Sequence, residues 1–384
     1  MKIAIVKLSS LGDIVHAMVA LQFIKAALPA IEIDWIVEER FAEILKYNPD
    51  IDHILSVNLK AVKENRASLV EQLKTIRSYA QNRYDLVIDA QGLLKSAVTS
   101  KLLGSHAAGF DADSVRERIA SLFYNTKIAC PYDANTIVRN AAVMTQPLGF
   151  TLTDEQLAKK KSFLFFHGED ERLSVYLNEH LKNIVFVVGS TWESRSYPIE
   201  KYLKIADELQ QNGLVIWASP EERRKAEWLS EQSNWVQIIP RLDLNNLKAL
   251  IAKADLVIGN DTGPTHMAWA LNRPSITIFG PTPVSRVQQT DINKVVKSAS
   301  IVNPHKLNKQ DFSIRDLDEQ LIIDLAKPLL AMQHQATHAH AVEFVNAASL
   351  SAVPCSIDDS EIEELANALL AVDTDELFAD DYFK

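Results

Sequence analysis

The sequence of 384 residues predicts an α/β protein made of two doubly wound domains, each with a parallel sheet covered by helices on both faces. Three observations carry that prediction. Short apolar runs alternate with helix-length stretches along most of the chain. The rhythm occurs twice, in halves of roughly 150 residues, a common domain size. Polar residues gather where the apolar runs end, which is where open parallel sheets take their ligands.

In the first half, IAIV (3–6), IDWIV (33–37) and YDLVID (84–89) read as strands, with helices expected over 13–28, 40–47 and 60–80. In the second half NIVFVVG (183–189), GLVIWAS (213–219), WVQII (235–239), ADLVIG (254–259) and SITIFG (275–280) read as buried strands. These runs are continuously apolar rather than alternating, as expected where both sheet faces are covered. Helices are expected near 198–212, 221–232, 243–252 and 264–271. The polar, glycine-free stretch TLTDEQLAKKK (151–161) marks the boundary, so the domains are placed at 1–160 and 161–331, followed by an acidic extension over 332–384. A last helix near 315–331 is expected to pack back on the first domain. Within the extension, SIDDSEIEELANALLAV (356–372) has helical spacing and a capping box from Ser360 to Glu363. HQATHAH (334–340) reads as a metal-binding or a solvated stretch.

Composition narrows the function classes. Hydrophobic residues make up 47% and charged residues 23%, ordinary for a globular protein. The net charge of −10 belongs to the extension, so the body is formally neutral and no nucleic-acid partner is expected. The two cysteines, Cys130 and Cys355, are far apart, which fits a reducing compartment and excludes a disulfide scaffold. MKIAIVKL is too short for a signal segment, and no run approaches the roughly 18 apolar residues of a spanning helix. A cytoplasmic location is therefore expected. GxxxxGK[ST], HExxH and CxxC are all absent, which removes the usual handles for NTP hydrolysis and metal chemistry, and neither a metal nor a cofactor is expected.

Several strand ends carry candidate chemistry. GNDTGPTHMAWALNRP (259–274) turns from a strand into a helix started by Pro264. It reads either as a turn capped by Asp261 or Thr262, or as an anion site where Gly263 lets a ligand meet the free N–H groups of the helix start. KLSSLGDIVHA (7–17) is not GxGxxG; Gly12 permits close approach, and Asp13 is either a helix-dipole partner or a general base. GSTWESRSYP (189–198) offers the Ser190 and Thr191 hydroxyls and the Arg195 fork for a phosphate, or is a polar loop with a solvated Arg. Glu221 and Glu222 are first-turn charges, or one of them binds ribose hydroxyls. Gln91, Lys95, Arg116 and Arg118 are solvated or structural, or they bind an acidic acceptor. NLKAVKENRASLVEQLKTIR (58–77) is a solvated cationic helix face or a contact for an anionic membrane surface.

The collinear series KLSSLGD, WIVEERFAEIL, YDLVIDAQGLLKSA, ASLFYN and GNDTGPTHMAWALNRPSITIFGPT resembles the bacterial ADP-heptose:lipopolysaccharide heptosyltransferases, glycosyltransferase family 9. The stretches DAQGLLKSA and ASLFYN favour the heptosyltransferase I branch over II. The resemblance covers residues 1 to about 330. It implies the GT-B fold, two Rossmann-like domains facing across a cleft. It implies inverting, metal-independent transfer of heptose from ADP-heptose to Kdo of Kdo-lipid A, at the cytoplasmic face of the inner membrane. By the same resemblance Asp13 is the general base. Ser190, Thr191, Arg195, Thr262 and Gly263 face the diphosphate, Glu222 the ribose and Asp261 the heptose, and His266 completes the junction. Ser10, Gly12, Gln91, Lys95 and Arg116 fall on the acceptor side. Where the family usually has Lys, this chain has Arg195. The alternatives are heptosyltransferase II, a sugar-nucleotide epimerase of similar shape, and a non-catalytic ADP-heptose-binding protein.

Overall fold

The computed structural model describes residues 1–63, 65, 68–104, 106–332 and 359–371. They form two compact units, one of Met1–Lys159 with a helix from near the C-terminus, the other running from Lys160.

The first unit contains β1 (Lys2–Val6), α1 (Leu11–Ala27), β2 (Glu32–Glu38), α2 (Ala42–Leu45), β3 (His53–Val57), α3 (Ser68–Tyr79), β4 (Leu86–Asp89), α4 (Leu94–Leu103), β5 (Ala107–Phe110), β6 (Thr126–Ile128), α5 (Thr136–Thr145) and α6 (Asp154–Ala158). Its strands pair in parallel in the order β3-β2-β1-β4-β5-β6. The chain walks outward from β1 to β3, returns beside β1 as β4, and walks the other way. The order therefore reverses between β1 and β4. Ile3, Ala4, Ile5 and Val6 are fully buried, which explains why the first strand reads as a continuous apolar run.

The second unit repeats the plan with β7 (Asn183–Val187), α7 (Ile199–Leu209), β8 (Asn212–Ile216), α8 (Pro220–Gln232), β9 (Val236–Ile238), α9 (Leu244–Lys253), β10 (Leu256–Asn260), α10 (Gly263–Ala270), β11 (Ser275–Phe279), β12 (Asn293–Lys297) and α11 (Glu319–Ala331). Its parallel order is β12-β11-β10-β7-β8-β9, so the reversal falls between β7 and β10. Asn260, fully buried, braces that reversal. Its amide donates to the carbonyls of Val188 (3.2 Å) and Gly189 (3.0 Å) and its oxygen accepts from the Tyr197 N–H (3.0 Å).

Several sequence expectations change. The helix expected over 60–80 is a short turn, Leu59–Lys63, followed by α3 from Ser68. Most of 40–47 is a single turn. β3, β5, β6 and β12 were not foreseen. The helix expected over 315–331 is α11, Glu319–Ala331. Ile322, Ile323, Ala326 and Leu329 of α11 lie in the core of its own unit, with α7. The helix that packs on the first unit is α12 (Asp359–Ala371), whose Ile362, Ala366 and Leu369 join Leu69, Leu73 and Ile76 of α3 and Leu94, Val98 and Leu102 of α4 in one apolar cluster. The i, i+4 and i+7 spacing of those three residues makes that apolar stripe, while Glu361, Glu363 and Glu364 are exposed. Because the helix already includes Asp359, Ser360 sits inside its first turn rather than capping it. HQATHAH lies outside the described residues. Among the described residues, no helix is long and apolar enough to cross a membrane, and no three His, Cys, Asp or Glu side chains group as metal ligands.

Lys160 is anchored at the C-terminal end of α10. Its ammonium donates to the Trp269 carbonyl (2.6 Å) and to Asn272 Oδ1 (2.5 Å), and lies 4.6 Å from the Trp269 ring centre. A cation there complements the helix dipole. Burial nevertheless pulls its pKa down to about 7 from 10.5. The penalty for burying the charge is complete below the folded pKa and is relieved as pH rises toward the unfolded one. Between those values the unfolded chain holds the extra proton, so stability should increase from pH 7 to about 10. In Lys160→Met that contribution should vanish. Denaturant midpoints of both proteins across this range check it, and parallel pH profiles would refute it.

Candidate active site

Each unit places a cluster of polar side chains at its strand-order reversal, beyond the C-terminal ends of the strands. In the first unit the segment after β1 is held by the segment after β4. Gln91 Oε1 accepts from the N–H groups of Leu8 (3.1 Å) and Ser9 (3.2 Å). The buried Lys7 ammonium donates to the Ala90 carbonyl (2.7 Å) and to Asn140 Oδ1 (3.3 Å). Burial lowers the Lys7 pKa, against the attraction of Asp13 and Asp89. Asp13 falls in the first turn of α1, where one carboxylate oxygen accepts from the Ser10 N–H (3.3 Å) and hydroxyl (2.9 Å). Only 3% of Asp13 is exposed, so the dipole-partner reading and a positioned carboxylate both hold in one side chain.

Asp89, at the end of β4, accepts from Gln91 N (2.8 Å), Gly92 N (3.0 Å) and the Tyr124 hydroxyl (2.6 Å). Burial raises its pKa, opposed by those same donors. Gly92 has φ +74°, and a Cβ there would meet Val115 Cγ2 at 2.9 Å, so the turn before α4 requires glycine. Lys95 is buried in the first turn of α4. Glu117 Oε2 accepts from Leu94 N (2.6 Å), which holds the segment bearing Arg116 at the start of α4. Arg116 itself is exposed. Ser10, Gly12, Asp13, Gln91 and Lys95 thus belong to one region, with Arg116 at its edge. Glu38, at the end of β2, was not foreseen; burial raises its pKa while Lys95 and Arg40 pull it down.

In the second unit the centre is Asp261, directly after β10. Its Oδ2 accepts from Thr282 Oγ1 (2.8 Å), Arg195 Nη2 (3.1 Å) and Arg286 Nη1 (3.2 Å), and its Oδ1 lies 3.0 Å from His266 Nε2. Arg195 also donates to the Asp261 carbonyl. Burial would push the Asp261 carboxyl up, but Arg286, Arg195 and His266 together hold it well below the usual carboxylate range. Asp261, Arg195, Arg286, His266 and Thr282 are all at least nine-tenths buried. Thr262 stands at the N-cap position of α10, whose first-turn N–H groups begin at Gly263 beside this cluster, but its side chain makes no capping hydrogen bond. Asp261 faces the basic side chains rather than the helix start.

Ser190 and Thr191 follow β7, with Thr191 exposed. Glu222 forms a capping box on α8, its Oε2 accepting from Ala218 N (2.7 Å) and Ser219 N (3.3 Å) while Ser219 Oγ accepts from Glu222 N (3.2 Å). A Cβ at Gly189 would come within 2.2 Å of the Glu222 carboxylate, so glycine there is what admits this side chain to the end of β7. Thr282 and Arg286 were missed from sequence. They follow β11, the strand next to β10, and the polar residues after SITIFG were the only available signal.

One cluster thus carries a buried carboxylate with a buried lysine near it, and the other a helix start with two buried arginines. The family model described as "Glycosyltransferase family 9 (heptosyltransferase)" matches residues 72–320. The chain is 38% identical over 347 residues to lipopolysaccharide heptosyltransferase 1 of Campylobacter coli, covering 86% of this chain and 99% of that protein. It is 31% identical to lipopolysaccharide heptosyltransferase 1 of Escherichia coli K12, over 81% of this chain and 97% of that one. Among solved structures, E. coli heptosyltransferase WaaC with ADP superposes with a TM-score of 0.70 at 27% identity, covering 86% of this chain and all of that one. The same enzyme with ADP-2-deoxy-2-fluoro heptose gives 0.69 at 26% identity, over 85% and 99%.

Proposed function

Because the chain belongs to glycosyltransferase family 9, the heptosyltransferases, and is a glycosyltransferase of lipopolysaccharide biosynthesis, we propose that it transfers L-glycero-D-manno-heptose from ADP-heptose to Kdo of Kdo-lipid A. The single observation that carries the assignment to particular residues is the Asp261 cluster at the start of α10, an arrangement suited to a sugar diphosphate. The second unit binds the donor. Arg195, Ser190, Thr191, Thr262 and Gly263 meet the diphosphate, Glu222 the ribose, and Asp261 with His266 the heptose. The first unit binds the acceptor through Ser10, Gly12, Gln91, Lys95 and Arg116. The reading extends to the two-domain GT-B arrangement.

In the reaction, the oxygen of a Kdo hydroxyl attacks the anomeric carbon of heptose. The bond from that carbon to the β-phosphate oxygen breaks, and its electron pair leaves with ADP. The hydroxyl proton passes to the Asp13 carboxylate, and the configuration inverts. Positive side chains and the α10 N–H groups balance the charge that gathers on ADP, the task a metal performs in other enzymes.

The acceptor is anchored in a lipid, so we place the enzyme at the cytoplasmic face of the inner membrane as a peripheral protein. Exposed Ile119 (54%) and Leu122 (75%) next to Arg116 and Arg118 support that contact, as does the cationic 58–77 stretch. The decisive assay supplies ADP-heptose with Kdo-lipid A, and separately with heptosyl-Kdo-lipid A, in the presence of a chelator. Product on the first acceptor alone is expected. Product on the second alone would reassign the chain to heptosyltransferase II, and donor binding without product would leave only a binding protein.

A further inference from the structure

The helix α12 has no role in the readings above and lies outside the stretch 72–320 that the family model matches. It carries the acids Asp359, Glu361, Glu363 and Glu364 and no base, and the three glutamates are exposed. Its seat is the face of α3 and α4 in the first unit. The charges there have the opposite sign. Lys74 and Arg77 stand on α3, Lys101 on α4 and Lys60 on the turn before α3, with Glu71 the single acid of the two helices. Lys60, Lys74 and Lys101 are exposed. Packed helices lie about 8–10 Å apart, close to the screening length of about 8 Å at physiological salt. The acids of α12 therefore act on the same field as these cations, and they reverse its sign.

The grip of α12 is apolar. Ile362, Ala366 and Leu369 are buried against the unit, and Leu365 and Leu370 are partly so. A helix of 13 residues is marginal in water without such a seat, so release would also melt it. An anionic lipid surface repels the acids of α12 and attracts the cations beside it. The two cannot share this face on equal terms. We propose that α12 is an autoinhibitory strap on the first unit: docked, it screens the cations of the α3–α4 face from an anionic membrane surface, and released, it yields them to that surface. This rests on the peripheral-membrane reading. Access to a lipid-borne acceptor is then set in part by where α12 sits.

The test uses the full chain and two variants, with thermal melting as the check on folding. The first replaces the exposed acids, Glu361→Gln, Glu363→Gln and Glu364→Gln together, and keeps the apolar stripe. The second, Ile362→Asp, places a charge in the apolar seat and dislodges the helix with its acids intact. Sedimentation with vesicles of phosphatidylcholine and phosphatidylglycerol in equal parts, and with phosphatidylcholine alone, is measured at low and high salt. The triple variant should bind the anionic vesicles at least about tenfold more tightly than wild type, with the gain shrinking at high salt and absent on phosphatidylcholine. Ile362→Asp should also bind the anionic vesicles more tightly, although its net charge is more negative, which separates displacement of the strap from a change in overall charge. Wild-type binding that the triple substitution leaves unchanged, or a gain equal on both kinds of vesicle, would overturn the proposal and leave the membrane reading standing. If Ile362→Asp does not fold, the triple variant decides, since its substitutions are all at exposed positions. Anionic vesicles that retain neither wild type nor either variant would refute the membrane reading, and the strap with it.

Discussion

Asp13→Asn is expected to lower heptosyl transfer by about a thousandfold, the scale of a lost general base, while the donor KM stays close to wild type. The reason lies in the local geometry. The Asp13 carboxylate is a helix first-turn acceptor for the Ser10 N–H and hydroxyl, and an asparagine oxygen can accept the same bonds. The fold and the donor half of the site are therefore preserved, and what disappears is the capacity to take a proton. Lys7, whose ammonium senses Asp13 and is tied to the Ala90 carbonyl, keeps its position. Initial rates and ADP calorimetry on the same preparation check the split. Turnover near that of wild type would remove Asp13 from the reaction. A matching loss of ADP affinity would reduce it to a structural role.

Asp261→Ala should be among the most destabilising single changes in the protein, by about 3–5 kcal/mol, because it strands buried positive charge rather than merely deleting a contact. Arg195, Arg286, Thr282 and His266 all meet this carboxylate. For a unit of this size the loss corresponds to a fall in melting temperature on the order of 10 °C. Acidity gives an independent signature. The Asp261 carboxyl is held below its ordinary value, so its contribution is present above the unfolded pKa near 3.8 and is lost as pH falls through the folded one. Acid unfolding of wild type should include that component, and the Ala variant should lack it. A melting temperature within a degree or two of wild type would show that the arginines find other partners.

Much of this was legible in the chain before folding. The inner strands β1, β4, β7 and β10 are continuous apolar runs because both of their faces are covered, and the polar residues just beyond them are adjacent in sequence, so Asp13, Gln91, Asp261 and His266 could be named. The outer strands were not legible. β3 is half exposed, β5 is AAGF, β6 is three residues long and β12 is NKVVK with two lysines among five residues, so pairing with a neighbouring strand supplies what their own composition lacks. Arg286 and Thr282 escaped for a different reason. They lie 25 and 21 residues from Asp261, and only the placement of β11 beside β10 brings their loop to it. The helix over 359–371 could be read from its spacing, but its partner could not, because α3 and α4 show the same kind of apolar stripe that any helix pair would use.

That last helix changes how the first unit comes into being. Residues that close its α3–α4 cluster are synthesised after the whole second unit. Until residues 359–371 have been made, Leu69, Leu73, Val98 and Leu102 lack the cover that Ile362, Ala366 and Leu369 provide. The first unit is therefore completed only after the second has been synthesised, and its long-range closure is the kind of contact that folds slowly. Chaperone engagement and aggregation during expression should concentrate in that interval.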